Sequence, residues 1–283
     1  MRVASLICVL LLTGVASSEE PKPPLLSGKL VCVLPVRDVK AAARWYKTAL
    51  GLEARVERIR FLQDIDEVAE EPEYRAIVPT PLPDVIVNLY PKKQAKSVGG
   101  PWLTFGVVDL DAARKKLEEK KVVFVGETFT VPGLVKLATF HDPDGNKFKL
   151  FQLLQPHAPK TGTGALGYTK TVIAAHATTD MKASQKWYRD VMGFKLFFYV
   201  KQMGWSEMGT PVRGLVFGLQ LVEKKPNILS GGFLRWSVRS LDAARKHLKD
   251  NKALLDRPES DAHKRKIETF RDPTGNKVQF YEK

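Results

Sequence analysis

An internal repeat is the feature that most constrains this chain, because the landmarks of its first half recur in the same order in its second half. Three pairs of segments carry the repeat: Asp38–Gly51 with Asp180–Gly193, Leu110–Leu117 with Leu241–Leu248, and Asp142–Asn146 with Asp272–Asn276. A chain of 283 residues is also long enough for two ordinary domains. The sequence therefore predicts two homologous modules in tandem.

The last landmark of each module is an Asp-Pro-x-Gly-Asn stretch that leads into alternating residues. Pro presets φ at the second turn position, the Asp side chain can accept from turn N–H groups, and Gly takes the conformation that other residues avoid. The stretch therefore predicts a turn that feeds a strand. In the first copy the alternation places Lys147, Lys149 and Phe151 on one face of that strand, with Phe148 and Leu150 on the other.

Each module also contains a weaker inner repetition, in which an apolar strand is followed by an Asp and an amphipathic helix. Asp38 and Asp109 stand at the N-cap positions of the two helices of the first module. Strand-like segments follow each helix, among them Val122–Phe129 after the second, so the expected unit is strand–helix–strand–strand–strand, used four times. This order predicts an α+β fold with helices against one face of curved sheets. The first module carries an insertion, expected as an excursion loop within the acidic, Pro-rich stretch Phe61–Asp84.

The N-terminal segment has the layout of a secretory signal peptide. Arg2 precedes an apolar run over residues 3–15, and small residues follow at 16–18. We therefore expect a protein that is secreted, periplasmic or extracellular, with no membrane span after the signal is cleaved; the alternative is an uncleaved N-terminal anchor. The predicted boundaries are a signal peptide at 1–18, an N-terminal tail at 19–27, the first module at 28–154, a Gly- and Pro-rich linker at 155–167 and the second module at 168–283.

Cysteine content and charge add two expectations. Cys8 leaves with the signal, so that Cys32 has no cysteine partner and no internal disulfide is expected. Lys and Arg number 45 against 31 Asp and Glu, a formal net charge of +14 that is spread through the chain. A basic surface favours anionic partners, such as an acidic polymer or an anionic small molecule, although a solvated basic face is the simpler interpretation.

Together, the ordered landmarks resemble the vicinal oxygen chelate superfamily, which includes glyoxalase I, bleomycin-resistance proteins and extradiol dioxygenases. Both copies carry the strand-Asp-helix with Trp-Tyr and a following Gly, the second strand-Asp-helix and the Asp-Pro-x-Gly-Asn turn. The resemblance implies two tandem modules, each a pair of βαβββ units with curved mixed sheets around a cavity. In active members of the family a divalent metal lies in that cavity.

The resemblance also implies where metal ligands would lie, on the first, fourth, fifth and eighth strands of a module. Carried over by spacing, these positions are Val31, Asn88, Trp102 and Lys149 in the first module and Ile173, Gln220, Phe233 and Gln279 in the second. No carboxylate or imidazole stands at any of them, and Lys149 adds a positive charge where a cation would lie. The sequence therefore predicts neither a metal nor another cofactor, and no catalytic residue. His176, three residues beyond the mapped position on its strand, is expected to face the helix.

These eight positions instead define a candidate ligand cavity, with apolar and aromatic walls and a few polar groups. Whether Trp102 and Phe233 line an open pocket or fill a collapsed one stays open. The favoured function is an exported, bleomycin-resistance-like protein that binds a small aromatic or anionic ligand without metal or catalysis. The alternatives are a metal-dependent glyoxalase-like or dioxygenase-like enzyme with displaced ligands, and a basic extracellular scaffold for acidic polymers. The oligomeric state is not predicted, since a tandem chain can pair its own modules.

Overall fold

The computed structural model describes residues 25–58, 74–92, 100–224, 231–256 and 266–283. The predicted signal peptide, most of the N-terminal tail and much of the predicted insertion lie outside these residues. Within the described part of the chain, no helix combines the length and the apolar character that crossing a membrane requires.

The described elements form four units of one helix and four strands each, which confirms the α+β prediction. Unit 1 comprises β1 Leu26–Val36, α1 Val39–Thr48, β2 Arg55–Arg58, β3 Tyr74–Pro79 and β4 Val85–Pro91. Unit 2 comprises β5 Trp102–Val107, α2 Leu110–Glu119, β6 Phe129–Val131, β7 Val135–His141 and β8 Lys147–Leu153. Unit 3 comprises β9 Tyr168–Thr178, α3 Met181–Asp190, β10 Lys195–Val200, β11 Trp205–Gly209 and β12 Leu215–Leu221. Unit 4 comprises β13 Phe233–Val238, α4 Leu241–Asp250, β14 Leu254–Leu255, β15 Ile267–Arg271 and β16 Lys277–Glu282.

All four helices begin at a side-chain N-cap. The Asp38 carboxylate accepts from the backbone N–H groups of Lys40 and Ala41, and Asp109 accepts from Ala112 N–H. The same cap is made by Asp180 in α3 and by the Ser240 hydroxyl in α4. These bonds satisfy N–H groups that the first helical turn leaves unpaired, which is why the strand-Asp pattern located the starts of α1, α2 and α3 correctly; α4 begins at a serine instead.

The strands form two eight-stranded mixed sheets, and each sheet combines one unit from each module. Units 1 and 4 form the terminal sheet, with strand order β14-β15-β16-β13-β1-β4-β3-β2. Units 2 and 3 form the central sheet, with order β10-β11-β12-β9-β5-β8-β7-β6. The seam of each sheet is an antiparallel pair, β1 with β13 and β5 with β9. The two units of one module therefore lie in different sheets, and the pairing of units crosses the module boundary.

The hydrophobic core lies between the two sheets, around the helices. It is one continuous cluster that includes side chains from both sheets and all four helices. Aromatic contacts within each module join a helix of one unit to a strand of the other sheet. The ring centroids of Tyr46 on α1 and Phe148 on β8 are 5.8 Å apart, and those of Trp187 on α3 and Phe270 on β15 are 6.0 Å apart. Each sheet consequently has one face on this core and one helix-free face.

The Asp-Pro-x-Gly-Asn turns connect the two sheets within each module. Asp142, between β7 and β8, accepts the Tyr46 hydroxyl at 2.8 Å, while Asn146 Nδ2 donates to Pro35 O on β1 at 3.0 Å. In the second module Asp272 accepts the Tyr188 hydroxyl at 3.0 Å, and Asn276 donates to the backbone of β9. Each of these bonds connects a tyrosine on the first helix of a module to the closing turn of the same module.

Two local predictions differ from the structure. The stretch from Val122 to Phe129 was expected as a strand, but in the structure only Phe129–Val131 pairs as β6, with an isolated bridge at Phe124. The C-terminal part of the expected excursion loop forms β3, which pairs with β2 and β4. In both cases the extent of the strand is set by its pairing with adjacent strands rather than by the composition of the segment alone.

The predicted linker packs on unit 2. Leu166 is buried, and Gly167 O accepts from the backbone N–H of Val108 at 3.0 Å. The segment from Pro156 to Thr161 contains mostly exposed residues. The linker is therefore fixed at its C-terminal end and exposed at its N-terminal end.

Candidate functional site

The eight predicted positions lie on the helix-free faces of the two sheets, four on each. The terminal sheet brings together Val31, Asn88, Phe233 and Gln279, and the central sheet brings together Trp102, Lys149, Ile173 and Gln220. Each group therefore draws on both modules, whereas the sequence mapping grouped the positions by module. This follows from the pairing of units across the module boundary.

The strand register places the fifth-strand positions two residues along the strand from the residues that lie directly opposite the first-strand and eighth-strand positions. In the terminal sheet Val31 lies opposite Arg235, and Arg235 lies opposite Gln279. Phe233 is one row away, opposite Val33. Arg235 is thus the residue that sequence reasoning missed. Its position two residues beyond Phe233, on the same strand face, was the signal that could have identified it.

The central sheet has the same arrangement. Ile173 lies opposite Thr104, and Thr104 lies opposite Lys149. Trp102 lies one row away, opposite Ala175. A row is a line of residues that lie opposite one another on neighbouring strands. The row that contains the first-strand and eighth-strand positions includes Thr104 in the central sheet and Arg235 in the terminal sheet.

Arg235 occupies the centre of the helix-free face of the terminal sheet and is only 7% exposed. Its Nε donates to Gln279 Oε1 at 2.9 Å, and Gln279 Nε2 donates to Thr269 Oγ1 at 3.0 Å. A guanidinium remains charged at all ordinary pH values and has no lone pair available to coordinate a metal. This row therefore repels a divalent cation.

Aromatic side chains surround Arg235. The Phe233 ring is 3% exposed, with the Lys277 ammonium 4.7 Å and the Arg235 guanidinium 5.7 Å from its centroid. Tyr90 lies at a centroid distance of 6.4 Å from Phe233. Asn88 Oδ1 is buried and accepts no hydrogen bond from the described residues. The face thus combines cations, aromatic rings and an amide.

The central sheet carries a pair of lysines over a tryptophan. Lys147 Nζ lies 3.4 Å and Lys149 Nζ 5.4 Å from the ring centroid of Trp102. Burial lowers the pKa of Lys147 to about 7, with a further contribution from the Lys149 charge, and burial also lowers the pKa of Lys149. Within the described ranges, neither ammonium is within 4.0 Å of a carboxylate oxygen.

Trp102 itself has an unused donor. The residue is 1% exposed, and its indole Nε1 is buried with no acceptor among the described residues. Beside it, Ala175, Ala177 and Trp205 complete a small apolar cluster. Trp205 Nε1 donates to Glu207 Oε1 at 2.9 Å, and burial raises the pKa of this carboxyl.

The Gln220 side chain bonds to a nearby turn of the backbone. Its side-chain Nε2 donates to the backbone carbonyl oxygens of Met203 and Gly204 at 3.0 and 3.2 Å. These bonds close the short 3₁₀ turn Lys201–Met203 that precedes β11. The amide nitrogen of Gln220 is therefore occupied by the fold.

A small pocket lies on the same helix-free face of the central sheet, but none of the eight mapped residues lines it. Phe151 follows two residues later on β8 and lies opposite Gly106. The pocket lining is formed by Gly106, Val107, Phe151, Leu153, Ala158, Pro159, Thr169 and Thr171. A Cβ at Gly106 would lie 2.2 Å from Thr169 Oγ1, so any larger residue would clash with the wall.

The described residues do not fit a metal. They contain no group of three or more His, Cys, Asp or Glu side chains that could hold an ion. His176 faces the helices as predicted, with Nδ1 2.6 Å from the Tyr188 hydroxyl, and burial lowers its pKa to about 3. His247 Nε2 lies 3.0 Å from Val191 O, away from both helix-free faces, and His263 lies outside the described residues.

A family comparison covers most of the chain. A sequence profile described as the Glyoxalase/Bleomycin resistance protein/Dioxygenase superfamily matches residues 30–150 and 172–280. An iron-dependent extradiol dioxygenase from Rhodococcus jostii (strain RHA1) is 33% identical over 111 residues, which cover 35% of this chain and 36% of that enzyme. The matched region thus spans about a third of the length of this curated relative.

Solved structures agree with the fold over nearly the whole chain. Glyoxalase I from Zea mays superimposes with a TM-score of 0.65 at 17% identity, covering 90% of this chain and 92% of that chain. A protein from Bacillus subtilis subsp. subtilis str. 168 superimposes with a TM-score of 0.69 at 14% identity, covering 92% of this chain and 86% of that chain. At these identities the likeness concerns the fold alone.

Proposed function

This chain belongs to the Glyoxalase/Bleomycin resistance protein/Dioxygenase superfamily, and within it we propose that the protein binds a small anionic molecule without using a metal. The binding site is the helix-free face of the central sheet, at Lys147, Lys149 and Trp102. We further propose that the protein is exported, in keeping with the apolar N-terminal segment after Arg2.

The lysine pair is the observation that carries this proposal. Two half-buried ammonium groups lie over one indole ring, and burial disfavours the charged form of both. Like charges brought together away from water raise the free energy of the folded protein unless an anion compensates them. A bound carboxylate or similar anion would supply that compensation through charge-assisted hydrogen bonds.

The surroundings indicate the form of the ligand. The buried indole N–H of Trp102 offers a further donor, and the Thr104 side chain lies in the same row as Lys149. The small pocket beyond Lys149 has apolar walls at Phe151 and Leu153. A compact molecule with one anionic group matches this arrangement, and any apolar or aromatic part would lie outside the pocket, which has room for about one water molecule.

The residues at the mapped positions argue against metal-dependent chemistry on either face. An enzyme with displaced ligands would need at least three converging oxygen, nitrogen or sulfur donors of the usual kinds. Arg235 and Lys149 place cations in the corresponding rows, and the described residues supply no such donor group.

Metal content is the first test. Protein purified without chelator and then dialysed against buffer that contains Zn, Fe, Mn or Ni is expected to retain far less than one ion per chain by elemental mass spectrometry. The expected reason is repulsion by Lys149 and Arg235. Stoichiometric retention that survives a second dialysis into metal-free buffer would contradict the metal-free proposal.

Anion binding is the second test, measured by calorimetry with a set of aromatic carboxylates headed by benzoate and with their neutral carboxamides. The carboxylates are expected to bind at least about tenfold more tightly, because a hydrogen bond to a charged group contributes about 1.5–3 kcal/mol. Lys149→Met is expected to remove this preference. Affinity should fall as pH rises above about 7, since Lys147, with its lowered pKa, must then take up a proton when the anion binds.

Lys277→Met is the matched control for that experiment. Lys277 is the counterpart of Lys147 in the second module and lies over Phe233 on the terminal sheet. Its removal subtracts the same charge from the whole protein but is expected to leave carboxylate affinity unchanged. Equal losses in Lys149→Met and Lys277→Met would mean that net charge, rather than this site, attracts the anion.

A further inference from the structure

A continuous apolar patch lies beside the lysine pair, on the helix-free face of the central sheet. It occupies the two rows that follow Lys149 along β8 and extends over β7 to the edge strand β6. The patch consists of Phe151, Leu137 and Phe129 in the nearer row and Leu153, Val135 and Val131 in the farther row. Residues directly opposite one another in antiparallel strands project from the same face, as do alternate residues of one strand. The six side chains therefore share a face with both lysines.

Contacts on the other face of these strands fix the direction of the patch. Gln152 Oε1 accepts from the backbone N–H of Leu110 at the start of α2, at 3.0 Å. On β7, Lys136 pairs with Asp111 of the same helix. Gln152 and Lys136 alternate with members of the patch along their strands, so the patch is directed away from α2.

The outer part of the patch is accessible to solvent. Phe129 is 51% exposed, and the patch residues of β7 are half-buried. Single exposed apolar side chains are ordinary, but a contiguous set of them marks a surface that binds something.

The terminal sheet has no equivalent patch among its described residues. Its edge strand β14 contains two residues, and the row beyond Gln279 pairs Tyr281 with Ile267. The apolar patch is therefore a property of the face that carries the lysine pair.

We propose that this face binds an amphiphile, a straight-chain carboxylate whose head group pairs with Lys147 and Lys149 and whose alkyl chain lies on the apolar patch. The proposal rests on the anion site described above and specifies the class of its ligand. Cations and apolar surface in consecutive rows match the two ends of such a molecule.

The dimensions of the patch suit a chain of medium length. From Lys149 to Leu153 the strand advances about 13 Å, at about 3.3 Å per residue. The alkyl chain lies over the patch and outside the small pocket, which has room for about one water molecule. One molecule thus contacts the lysine pair and the patch together.

Calorimetry with butyrate, hexanoate and octanoate, below the concentrations at which they form micelles, tests the inference. Full burial of one methylene raises affinity about fourfold, and a one-sided surface covers roughly half of it, which gives about twofold. Octanoate is therefore expected to bind at least about tenfold more tightly than butyrate. Equal affinities for the two would overturn the amphiphile proposal and leave the anion site standing.

Leu137→Thr locates the alkyl chain, because Leu137 lies at the centre of the patch and threonine keeps the preference for a strand. We expect octanoate affinity to fall at least about threefold while butyrate affinity is unchanged, since about one methyl-sized contact area is lost on each side of the chain. Ile267→Thr is the matched control, since Ile267 is the half-buried counterpart of Leu137 on the terminal sheet. Equal losses in the two variants would overturn the placement of the chain on the patch.

Two further ligands separate the head group from a membrane surface. Octanamide is expected to bind at least about tenfold more weakly than octanoate, because it lacks the charge that the lysines recognise. Equal binding of the two would overturn both the anion site and the amphiphile. Sedimentation of the protein with phosphatidylglycerol vesicles, undiminished by octanoate, would assign the face to a lipid surface and overturn the single-molecule proposal; we expect the protein to stay in the supernatant.

Discussion

Asp272→Ala is expected to lower the free energy of unfolding by about 3–5 kcal/mol, measured by denaturant titration. The Asp272 carboxylate is buried and accepts from the Tyr188 hydroxyl, from the Asn276 side chain and from the backbone N–H groups of Thr274 and Asn276. Removal leaves these donors without an acceptor in the core, at about 1–3 kcal/mol for each one that water cannot reach. Asp142→Ala should behave alike in the first module, since Asp142 makes the same set of bonds.

Asp242→Ala is the control for that measurement. Asp242 pairs instead with a basic side chain, its Oδ1 lying 2.9 Å from Arg245 Nη1, and its own side chain is 91% exposed. An exposed pair contributes about 0.2–1 kcal/mol. If Asp272→Ala lost no more than Asp242→Ala, the turn would not be the buried connection between the sheets that its hydrogen bonds indicate.

Cutting the chain between its modules is expected to leave the two halves associated. A specific protease site inserted between Lys160 and Thr161, in the exposed part of the linker, would separate units 1 and 2 from units 3 and 4. Both sheets span that division, through the β1–β13 and β5–β9 pairs. The halves also share one continuous core. The cleaved protein should therefore elute as one species in size-exclusion chromatography and separate only in denaturant.

Uncut protein with the same insertion shows whether the insertion alone disturbs the fold. The cleaved protein should also keep the carboxylate affinity of the uncut protein. Lys149 and Ile173 lie on either side of Thr104 and come from different halves, but they remain in one sheet. Elution of two separate folded halves in native buffer would contradict the observed pairing of units.

Local structure was largely predictable because its causes lie within a few residues. The caps at Asp38, Asp109 and Asp180 follow from a short acceptor placed before an amphipathic segment. The alternation after the closing turn placed Lys147 and Lys149 on one face of β8, and the structure confirms it. The sequence also shows directly that none of the eight mapped positions is a carboxylate, because residue identity needs no knowledge of strand pairing.

The pairing of units and the exact rows of the site were not predictable in this way. The strands β1, β5 and β13 are each the first strand of a unit, and all three are largely buried. The residues of β1 therefore do not show whether β13 or β5 is its neighbour. Spacing identified the sheet face of each mapped position but not its cross-strand neighbours, so Arg235, two residues beyond Phe233 on the same face, was not among the mapped residues. The signal segment, the domain boundaries and the ligand stay predictions.

The construction of each sheet from two unlike units has a consequence for how such a site can diversify. Two identical chains that paired in this manner would have to present two identical binding faces, and every substitution would appear in both. Here the terminal face carries Arg235 where the central face carries Thr104, so a change in one unit alters one face alone. Covalent linkage of the copies thus permits a chain with two independent specificities, one ligand for each face, within a single folded body.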